Sequence, residues 1–391
     1  MMQAQQQRHI LEVEDSDKPL FGSGVEKSVP YLISDIFAFK AKKDGTITKV
    51  DKTNNLVFIT YDDGTKDVIN LNSRINKNSN GGFYLNSRLT LLFNVGDKFK
   101  KNDILAKDDM YMIGENDDED GISYATGTLA KVALASSDAT YEDSSYISES
   151  LSNRMKSKLT MKKEMVFEPN TNIDYIVKIG QEVKTGDPLI TFESAFEDSS
   201  INEFLDKLGS DFEQAISNLT KNTYRSKYTG KVVDIRLYYN RDIKDFSPSI
   251  QKLLNDYIKK NEKLATLLIK NSNKDSMNQI NLPSTKKINS PKIKGKEVDG
   301  LLIEFYIEYE DVLCTGDKIA FYGPCKTIVS DVLDKDSIPF VVNNHNEREN
   351  LDAVFSPMSI IGRMTIDIIK SLYLNKDIMA LKEKVKDIYY S

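Results

Sequence analysis

Residues Gly316 to Ser330 read GDKIAFYGPCKTIVS, and this stretch gives the clearest indication of the fold. Two β-type runs flank Gly323-Pro324, a pair typical of a tight turn, so the stretch predicts strand, turn and strand. The hairpin carries Lys318 and Lys326. A barrel that brings both to one surface would let them contact consecutive phosphates as mobile point charges. The alternative, that they are solvated surface lysines, stays open on sequence alone.

Outward from this hairpin, most of the chain shows short β-type runs separated by turns. One example is the alternating run Leu56 to Tyr61, which is followed by Asp62-Asp63-Gly64, a hairpin signal. We therefore predict a mixed, β-dominated α+β fold. The β-rich stretches are Val29 to Val132, Tyr175 to Phe192, Gly230 to Tyr239 and Leu301 to Val332.

Three segments show the 3.6-residue apolar period of helices, namely Ile201 to Leu219, Ile250 to Ile269 and Arg363 to Tyr390. Pro248 is well placed as a first helical residue, because proline lacks only an N–H that the first turn does not use. The tract 271–296 is polar and rich in lysine, and it contains two prolines. We interpret it as a mobile linker or insertion.

Composition limits the possible functions. At roughly 150 residues per domain, 391 residues predict two or three domains. The net charge of −6 excludes a chain that coats nucleic acid as a whole, so any phosphate binding must be local. Cys314, Cys325, His9 and His345 make neither a disulfide framework nor a zinc site at these spacings. We expect a reducing, cytoplasmic setting and no membrane span.

A weak internal similarity links Val95 to Leu105 with Ile179 to Leu189, each containing Gly-Asp or a related turn before a strand. Lipoyl and biotinyl carriers share this pattern, but a carrier needs a lysine displayed on a hairpin. The nearest candidate, Met161-Lys162-Lys163, lies in a segment too charged for that role. We therefore favour turn chemistry alone, because Gly or Asn tolerates the positive φ of such turns.

The remaining candidates for chemistry are carboxylates and one arginine. Glu142 and Asp143 follow an apolar run, and adjacent carboxylates at a strand end can hold Mg²⁺ through water. The alternative is a solvated turn or helix cap. Arg363 follows Gly362 at the start of a helical pattern, where it could bind a triphosphate or be an ordinary surface residue. No Gly-rich loop of the P-loop or dinucleotide type is present.

Five blocks of the chain, taken in order, resemble the C-terminal half of the β subunit of multisubunit DNA-dependent RNA polymerases. The resemblance spans nearly the whole chain, and the five blocks together are far more specific than any single motif. The blocks are Asp17 to Val29 (DKPLFGSGVEKSV), Val95 to Leu105, Tyr141 to Glu149 (YEDSSYISE), Gly316 to Ser330, and Val354 to Ile366 (VFSPMSIIGRMTI).

The resemblance implies a role for each matching residue. Lys318 and Lys326 would be the lysines near the RNA 3′ end and the nucleotide phosphates, and Arg363 would face the incoming triphosphate. Glu142 and Asp143 would lie near the second Mg²⁺. The three-aspartate loop that binds the first metal lies on the β′ chain in this family, so the present chain should be inactive alone. Gln5 would match a glutamine near the transcript.

The resemblance also implies an architecture, a double-psi β-barrel with an inserted flap, which is a β hybrid domain, and a C-terminal helical segment. The flap tip lies near 240–255, where Ile250, Leu253 and Leu254 would contact a promoter-specificity factor or, alternatively, pack on the flap itself. The expected parts are 1–151, hybrid-binding region and first part of the barrel; 152–296, flap with the linker 271–296; 297–362, second part of the barrel; and 363–391, helical segment.

The implied function is that of a C-terminal fragment of a split β subunit, of the kind found in jumbo bacteriophages and acting in the host bacterial cytoplasm or packaged in the virion. Implied partners are a β′ chain, an N-terminal β fragment, a further clamp piece, the specificity factor, DNA, RNA and NTPs. The family's Arg-His-Gly is replaced here by Tyr322-Gly323-Pro324. That departure supports the alternative, a non-catalytic nucleic-acid-binding or assembly scaffold that keeps the barrel.

Overall fold

The computed structural model of the chain describes residues 13–14, 16–77, 83–114, 121–193, 221–271, 285–290, 292–293, 295–321, 325–342, 346–361 and 366–390. Gln5, Arg363, the two histidines, the segment Tyr322 to Pro324 and the helix predicted over Ile201 to Leu219 lie outside these residues.

The first part of the described chain consists of short strands and two short helices. Its elements are α1 (Val25–Leu32), β1 (Ala38–Lys40), β2 (Gly45–Asp51), β3 (Leu56–Tyr61), β4 (Lys66–Asn70), β5 (Arg74–Lys77), β6 (Tyr84–Ser87), β7 (Leu89–Leu91), β8 (Lys98–Phe99), β9 (Ile104–Asp108), β10 (Met112–Ile113), β11 (Ser123–Tyr124), β12 (Val132–Leu134), β13 (Ser144–Ser148) and α2 (Glu149–Arg154).

The middle part contains longer strands and one long helix. Its elements are β14 (Ser157–Phe167), β15 (Asn172–Ile176), β16 (Glu182–Val183), β17 (Pro188–Glu193), β18 (Lys221–Arg225), β19 (Gly230–Tyr239), a 3₁₀ turn (Ile243–Asp245), α3 (Pro248–Asn271), β20 (Thr285–Lys287), β21 (Lys292–Ile293) and β22 (Lys296–Glu297).

The last part begins with the longest buried strand and ends in a helix. Its elements are β23 (Leu301–Asp311), β24 (Lys318–Phe321), β25 (Cys325–Leu333), β26 (Phe340–Val342), β27 (Arg348–Asn350), β28 (Ala353–Phe355), α4 (Met358–Ile361) and α5 (Ile366–Tyr390). The predicted fold class, mixed and β-dominated with a C-terminal helical segment, is confirmed.

A seven-stranded sheet forms the largest layer, with β23 at its centre between β14 and β19. β14 and β23 pair over their full lengths, from Ser157 opposite Asp311 to Phe167 opposite Leu301. Successive side chains of a strand point to opposite faces. One face of β23 therefore carries apolar residues that join the main core, and the other carries mostly polar ones. The apolar set is Leu301, Ile303, Phe305 and Ile307.

Helix α3 covers the apolar face of this sheet. Pro248 is its first residue, as predicted, and the Ser247 hydroxyl accepts a hydrogen bond from the Ile250 N–H at 3.4 Å. Ile250 and Leu254 are fully buried in the main core. At its far end the helix packs Leu268 against β3 and β4. The helix therefore ties the middle part of the chain to the first part.

The barrel that the resemblance implies is the five-stranded sheet β12-β28-β13-β25-β24. It contains two parallel pairs, β12 with β28 and β13 with β25, and two antiparallel ones, β13 with β28 and β24 with β25. Ile147, Ile319 and Val329 lie in its core. Because parallel neighbours need a crossover connection, the segment from β14 to β23, which holds five strands of the seven-stranded sheet, is inserted into this barrel.

One turn structure occurs five times in the described part of the chain. Its third residue has positive φ, and the N–H of that residue donates to a carbonyl of a facing strand at 2.7 to 2.9 Å. The side chain of the fourth residue, Asp or Gln, accepts a hydrogen bond from the N–H of the first residue. The backbone carbonyl of the fourth residue accepts a hydrogen bond from the N–H of the same facing residue. We call this a clamp turn. The five are Asn94–Asp97, Lys100–Asp103, Lys178–Gln181, Lys184–Asp187 and Cys314–Asp317.

The clamp turns include both stretches of the weak internal similarity, so the turn chemistry favoured from the sequence accounts for it. Lys162, the lysine nearest to a carrier position, lies within β14 and not on a hairpin tip, and it bonds Glu164 at 2.9 Å. The lysine-rich tract 271–296 needs a correction. Thr285 to Lys287 pair in parallel with β19, so these residues belong to the sheet and are not linker.

None of the helices in the described ranges is long and apolar enough to cross a bilayer.

Candidate active site

Lys318 is placed by the fifth clamp turn, Cys314 to Asp317. The Gly316 N–H donates to the Val329 carbonyl, and the Val329 N–H donates to the Asp317 carbonyl, both at 2.8 Å. The Asp317 carboxylate accepts the Cys314 N–H at 2.8 Å. These bonds attach the start of β24 to the middle of β25. Lys318 directly follows this turn, so the hydrogen bonds of the turn fix the position of its backbone.

The hairpin of β24 and β25 brings the two predicted lysines to one face. Lys318 lies opposite Ile328, and Ala320 lies opposite Lys326. Directly opposed residues of an antiparallel pair share a face, so the lysines are diagonal neighbours on the order of 7–8 Å apart. Lys318 is exposed and Lys326 is half-buried. The structure brings together the two lysines that the sequence singled out.

The other face of this hairpin is packed in the barrel. Ile319, Thr327 and Val329 are at most 4% exposed. The Thr327 and Ser145 hydroxyls share a buried hydrogen bond of 2.7 Å, which joins β25 to β13. With one face fixed in this way, a one-residue slip would bury both lysines, so the register of the pair is strongly specified.

The acidic pair lies in a turn that is held by several hydrogen bonds. Glu142 has φ of 50°, a left-handed conformation that is uncommon for residues other than glycine. Its carbonyl accepts the Ser359 hydroxyl at 2.8 Å, and the Asp143 carbonyl accepts the Ile328 N–H at 2.8 Å. Such strain persists only where surrounding contacts over-determine the backbone, and it is typical of functional sites.

The acidic turn and the lysine hairpin form one continuous edge. Ser144 pairs with Ile328 across β13 and β25, and Ile328 pairs with Lys318 across β25 and β24. Glu142 and Asp143, which directly precede Ser144, are both exposed. Carboxylates and ammonium groups therefore occupy neighbouring positions on one side of the barrel.

Asp311 is an exposed acid that ends β23 just before the fifth clamp turn. Partial desolvation of its carboxyl group raises the pKa of Asp311, and the nearby Asp317 carboxylate raises it further.

Among the residues that the structure describes, no group of three or more His, Cys, Asp or Glu side chains could hold a metal ion. Glu142 and Asp143 offer two adjacent exposed carboxylates. They fit contact with a hydrated Mg²⁺ through its water shell, since that ion keeps several waters when one or two carboxylates bind it.

Helix α4 adds a contact that the sequence analysis missed. Ser359 is buried, and its hydroxyl anchors the Glu142 carbonyl. No local signal marks it, since a serine in VFSPMSII has many possible uses. Asp317 was also missed as a positioning residue, although its Gly-Asp pattern repeats that of Gly96-Asp97 and Gly186-Asp187. The chain beyond α4 leads to Arg363, which lies outside the described residues.

The predicted contact with a specificity factor needs a correction. Ile250 and Leu254 have no exposed surface and pack in the main core beside Leu253, which is half-buried. A partner cannot reach the two buried side chains in this conformation. The alternative, that Ile250 and Leu254 pack on their own domain, agrees with this burial. A contact through Leu253 stays a prediction, as do the roles of the other site residues.

Comparisons with known proteins show which family the chain resembles. The family described as "RNA polymerase Rpb2, domain 6" matches residues 108–390. The DNA-directed RNA polymerase subunit beta of Clostridioides difficile strain 630 is 21% identical over 408 aligned residues, which cover 96% of this chain and 27% of that protein. The Corynebacterium diphtheriae subunit of the same name is 22% identical over 284 residues, covering 68% of this chain and 23% of that protein.

The chain thus spans about a quarter of the length of these curated relatives. The family match, in contrast, extends over well more than half of the chain and includes the acidic turn, the inserted strands of the sheet, the lysine hairpin and α5. From the barrel and this match together, we conclude that the chain belongs to the RNA polymerase Rpb2 domain 6 family and carries an RNA polymerase β-type domain.

Proposed function

We propose that this chain forms one wall of the active centre of a multisubunit DNA-dependent RNA polymerase, holding the RNA 3′ end and the incoming NTP. In this proposal it is the C-terminal fragment of a split β subunit. A β′ chain supplies the aspartates that bind Mg²⁺, so the present chain is inactive alone. The observation that supports this most is the placement of Lys318 and Lys326 on one face of the barrel, beside the acidic turn.

The residues of this edge suit phosphoryl transfer. That reaction asks a protein mainly to position the reactants and to neutralise charge around the transferred phosphoryl group. Lys318 and Lys326 would pair with the phosphates of the nucleotide and of the RNA end as mobile cations. Two Mg²⁺ ions, when bound, would stabilise the attacking and leaving oxygens. Glu142 and Asp143 would orient waters of the second ion.

The decisive experiment compares lysine variants in the assembled polymerase. We expect Lys326→Ala and Lys318→Ala each to slow RNA extension on the order of 10²-fold, because each removes a positioned charge from the reacting phosphates. Assembly, measured by co-purification, should stay unchanged. The control is Lys335→Ala, an exposed lysine after β25 that should have no effect. Normal extension by both active-site variants would favour the scaffold alternative.

The acidic turn gives a second, smaller test. Glu142→Gln combined with Asp143→Asn keeps the shape of the turn and removes its charge. We expect the Mg²⁺ concentration for half-maximal extension to rise several-fold, on the order of tenfold, as for other groups that hold a metal through its shell. An unchanged Mg²⁺ titration would show that the two carboxylates serve the fold only.

We also propose the source of the enzyme and the compartment in which it acts. The Asn-, Lys- and Ile-rich composition and the departures from the bacterial motifs support a jumbo-bacteriophage enzyme in the host cytoplasm. Mass spectrometry of the chains that co-purify with this one from infected cells tests it. We expect a β′ chain with the three-aspartate loop and an N-terminal β fragment. A chain that elutes alone, or with structural proteins only, would contradict the split-subunit proposal.

A further inference from the structure

Helix α5 exposes several large apolar side chains along its outer part. Its start is held against the barrel, where Leu372 packs beside Phe355 and Ile360. Beyond residue 378, every residue up to 390 is exposed. Leu381 and Val385 are 62% and 59% exposed. Contiguous exposed apolar surface of this kind marks an interaction site in soluble proteins.

The spacing of these side chains identifies the kind of partner. Leu374, Ile378, Leu381, Val385 and Ile388 follow one another at intervals of four, three, four and three residues. This alternation places them on one stripe of the helix and is the a/d seam of helix-on-helix packing. The partner that fits such a stripe is another α-helix, packed about 20° from parallel.

Two copies of this chain would make a poor pair through the seam. The seam spans residues 374–388, a strip ~22 Å long and about 10 Å wide. This covers a few hundred Å², whereas a stable interface needs roughly 800 Å² per partner. Self-sufficient coiled coils also need about three or four heptads. The seam is therefore suited to a partner that binds this chain elsewhere as well.

The charges beside the seam favour an acidic partner. The flanking positions next to the apolar stripe carry Lys382 and Lys384 in its outer half, and Asp377 near the body. Flanking charges set the choice of partner in helix pairs. The partner helix should therefore present Glu or Asp opposite the two lysines.

We propose that the seam of α5 docks an amphipathic helix with acidic flanks that belongs to another chain of the polymerase, an inference that rests on the proposed function. Large apolar side chains are exposed on the barrel as well, since Met358 and Ile361 of α4 are 59% and 65% exposed. A chain that faces the candidate active site could therefore cover α4 and then continue along α5. The seam would add an anchor to that larger interface.

Site-specific photo-crosslinking in the assembled polymerase tests the proposal. Leu381 is replaced by p-benzoyl-phenylalanine, and the matched control carries the same group at Glu383, on the opposite side of the helix. We expect a crosslink from position 381, and none from 383, to a helical peptide of another polymerase chain. A crosslink to a second copy of this chain, or no difference between the two positions, would overturn the proposal.

Charge variants give an independent result. Leu381→Glu with Val385→Glu should lower the yield of co-purified partner chain by about tenfold, as for a core interface residue. Lys382→Glu with Lys384→Glu should lower it less, and the loss should shrink at high salt. All four side chains are exposed, so the fold should hold, which circular dichroism checks. If no polymerase chain co-purifies even with the unmodified protein, the proposed function fails as well; unchanged yields with polymerase chains present overturn the docking alone.

Discussion

The seven-stranded sheet and the barrel edge use charged residues in opposite ways. In the sheet, Glu304 and Glu308 on one face of β23 are buried. Glu308 accepts hydrogen bonds from Arg88 at 2.7 Å and from Asn86 at 2.5 Å, both within its own chain. At the barrel edge, Lys318, Glu142 and Asp143 are exposed, although the backbone beneath them is firmly hydrogen-bonded. Carboxylates bonded within the chain therefore contribute to the fold, whereas the exposed Lys318 and Glu142 lie on a backbone that is already fixed by hydrogen bonds.

The sharpest way to test this contrast uses two clamp turns with the same structure. Gly316 and Gly186 have φ of 95° and 94°, and at neither would an added Cβ meet another atom within 4 Å. Replacing either by alanine should cost about 1 kcal/mol of unfolding free energy, because only glycine adopts this φ without strain. Only Gly316→Ala should also slow RNA extension, by about tenfold, since a 1 Å displacement of Lys318 is enough for such a loss.

Chemical denaturation of each variant and extension by the assembled enzyme measure the two effects. Equal losses of activity in Gly316→Ala and Gly186→Ala would mean that the clamp turn has no special role in placing Lys318.

A second test removes a charge from the sheet. Glu308→Ala leaves the buried Asn86 amide without its acceptor, which should cost about 1–3 kcal/mol of unfolding free energy. Arg88 is 42% exposed and can turn to water, so the cost should stay below that of a fully buried ion pair. The matched control is Glu310→Ala on the same face, whose side chain is 54% exposed and should cost below about 1 kcal/mol.

RNA extension should be normal in both variants once the chain is folded. A large activity loss in folded Glu308→Ala would break the distinction between the two regions.

The smallest expected effect is on the pH dependence of stability. Burial alone would raise the pKa of Glu14, but Lys158 and Lys156 outweigh it and lower the pKa. A lowered folded-state pKa means that ionised Glu14 stabilises the fold above the unfolded pKa, roughly 4.3. This contribution is lost as the pH falls through the folded pKa.

The unfolding free energy of Glu14→Gln should therefore fall less steeply than that of the unmodified chain below about pH 5. Denaturation at several pH values measures the slope. Identical slopes would show that Glu14 makes no net contribution.

Sequence patterns predicted local structure better than long-range pairing. The strand-turn-strand pattern of Gly316 to Ser330, the hairpin at Asp62 to Gly64 and the proline start of α3 follow from local chemistry, and the structure confirms each strand and helix. Thr285 to Lys287 were misjudged as linker because their pairing with β19 depends on a neighbour nearly fifty residues earlier. Ile250 and Leu254 look like docking residues on an amphipathic helix, and only the sheet beneath shows which core they fill.

For the candidate site, the sequence identified the residues but not their neighbourhood. The sequence placed Lys318 and Lys326 on one hairpin, but only the observed register, with Lys318 opposite Ile328 and Ala320 opposite Lys326, puts them on the same face. That Asp143 lies beside Ile328 could not be foreseen, because a parallel pairing between distant segments leaves no periodic signal. Ser359 was missed for the same reason.

The parallel pairing of β13 with β25 also constrains how the protein is made. Ser145 and Thr327 touch through their hydroxyls but are 182 residues apart in sequence. Contacts between such distant residues form slowly, because the loop-closure entropy is lost before the contact stabilises anything. During synthesis, β12 and β13 must wait until β25 and β28 have left the ribosome, while the inserted sheet can already fold. The edge that carries the candidate chemistry is thus among the last parts of the chain to take shape.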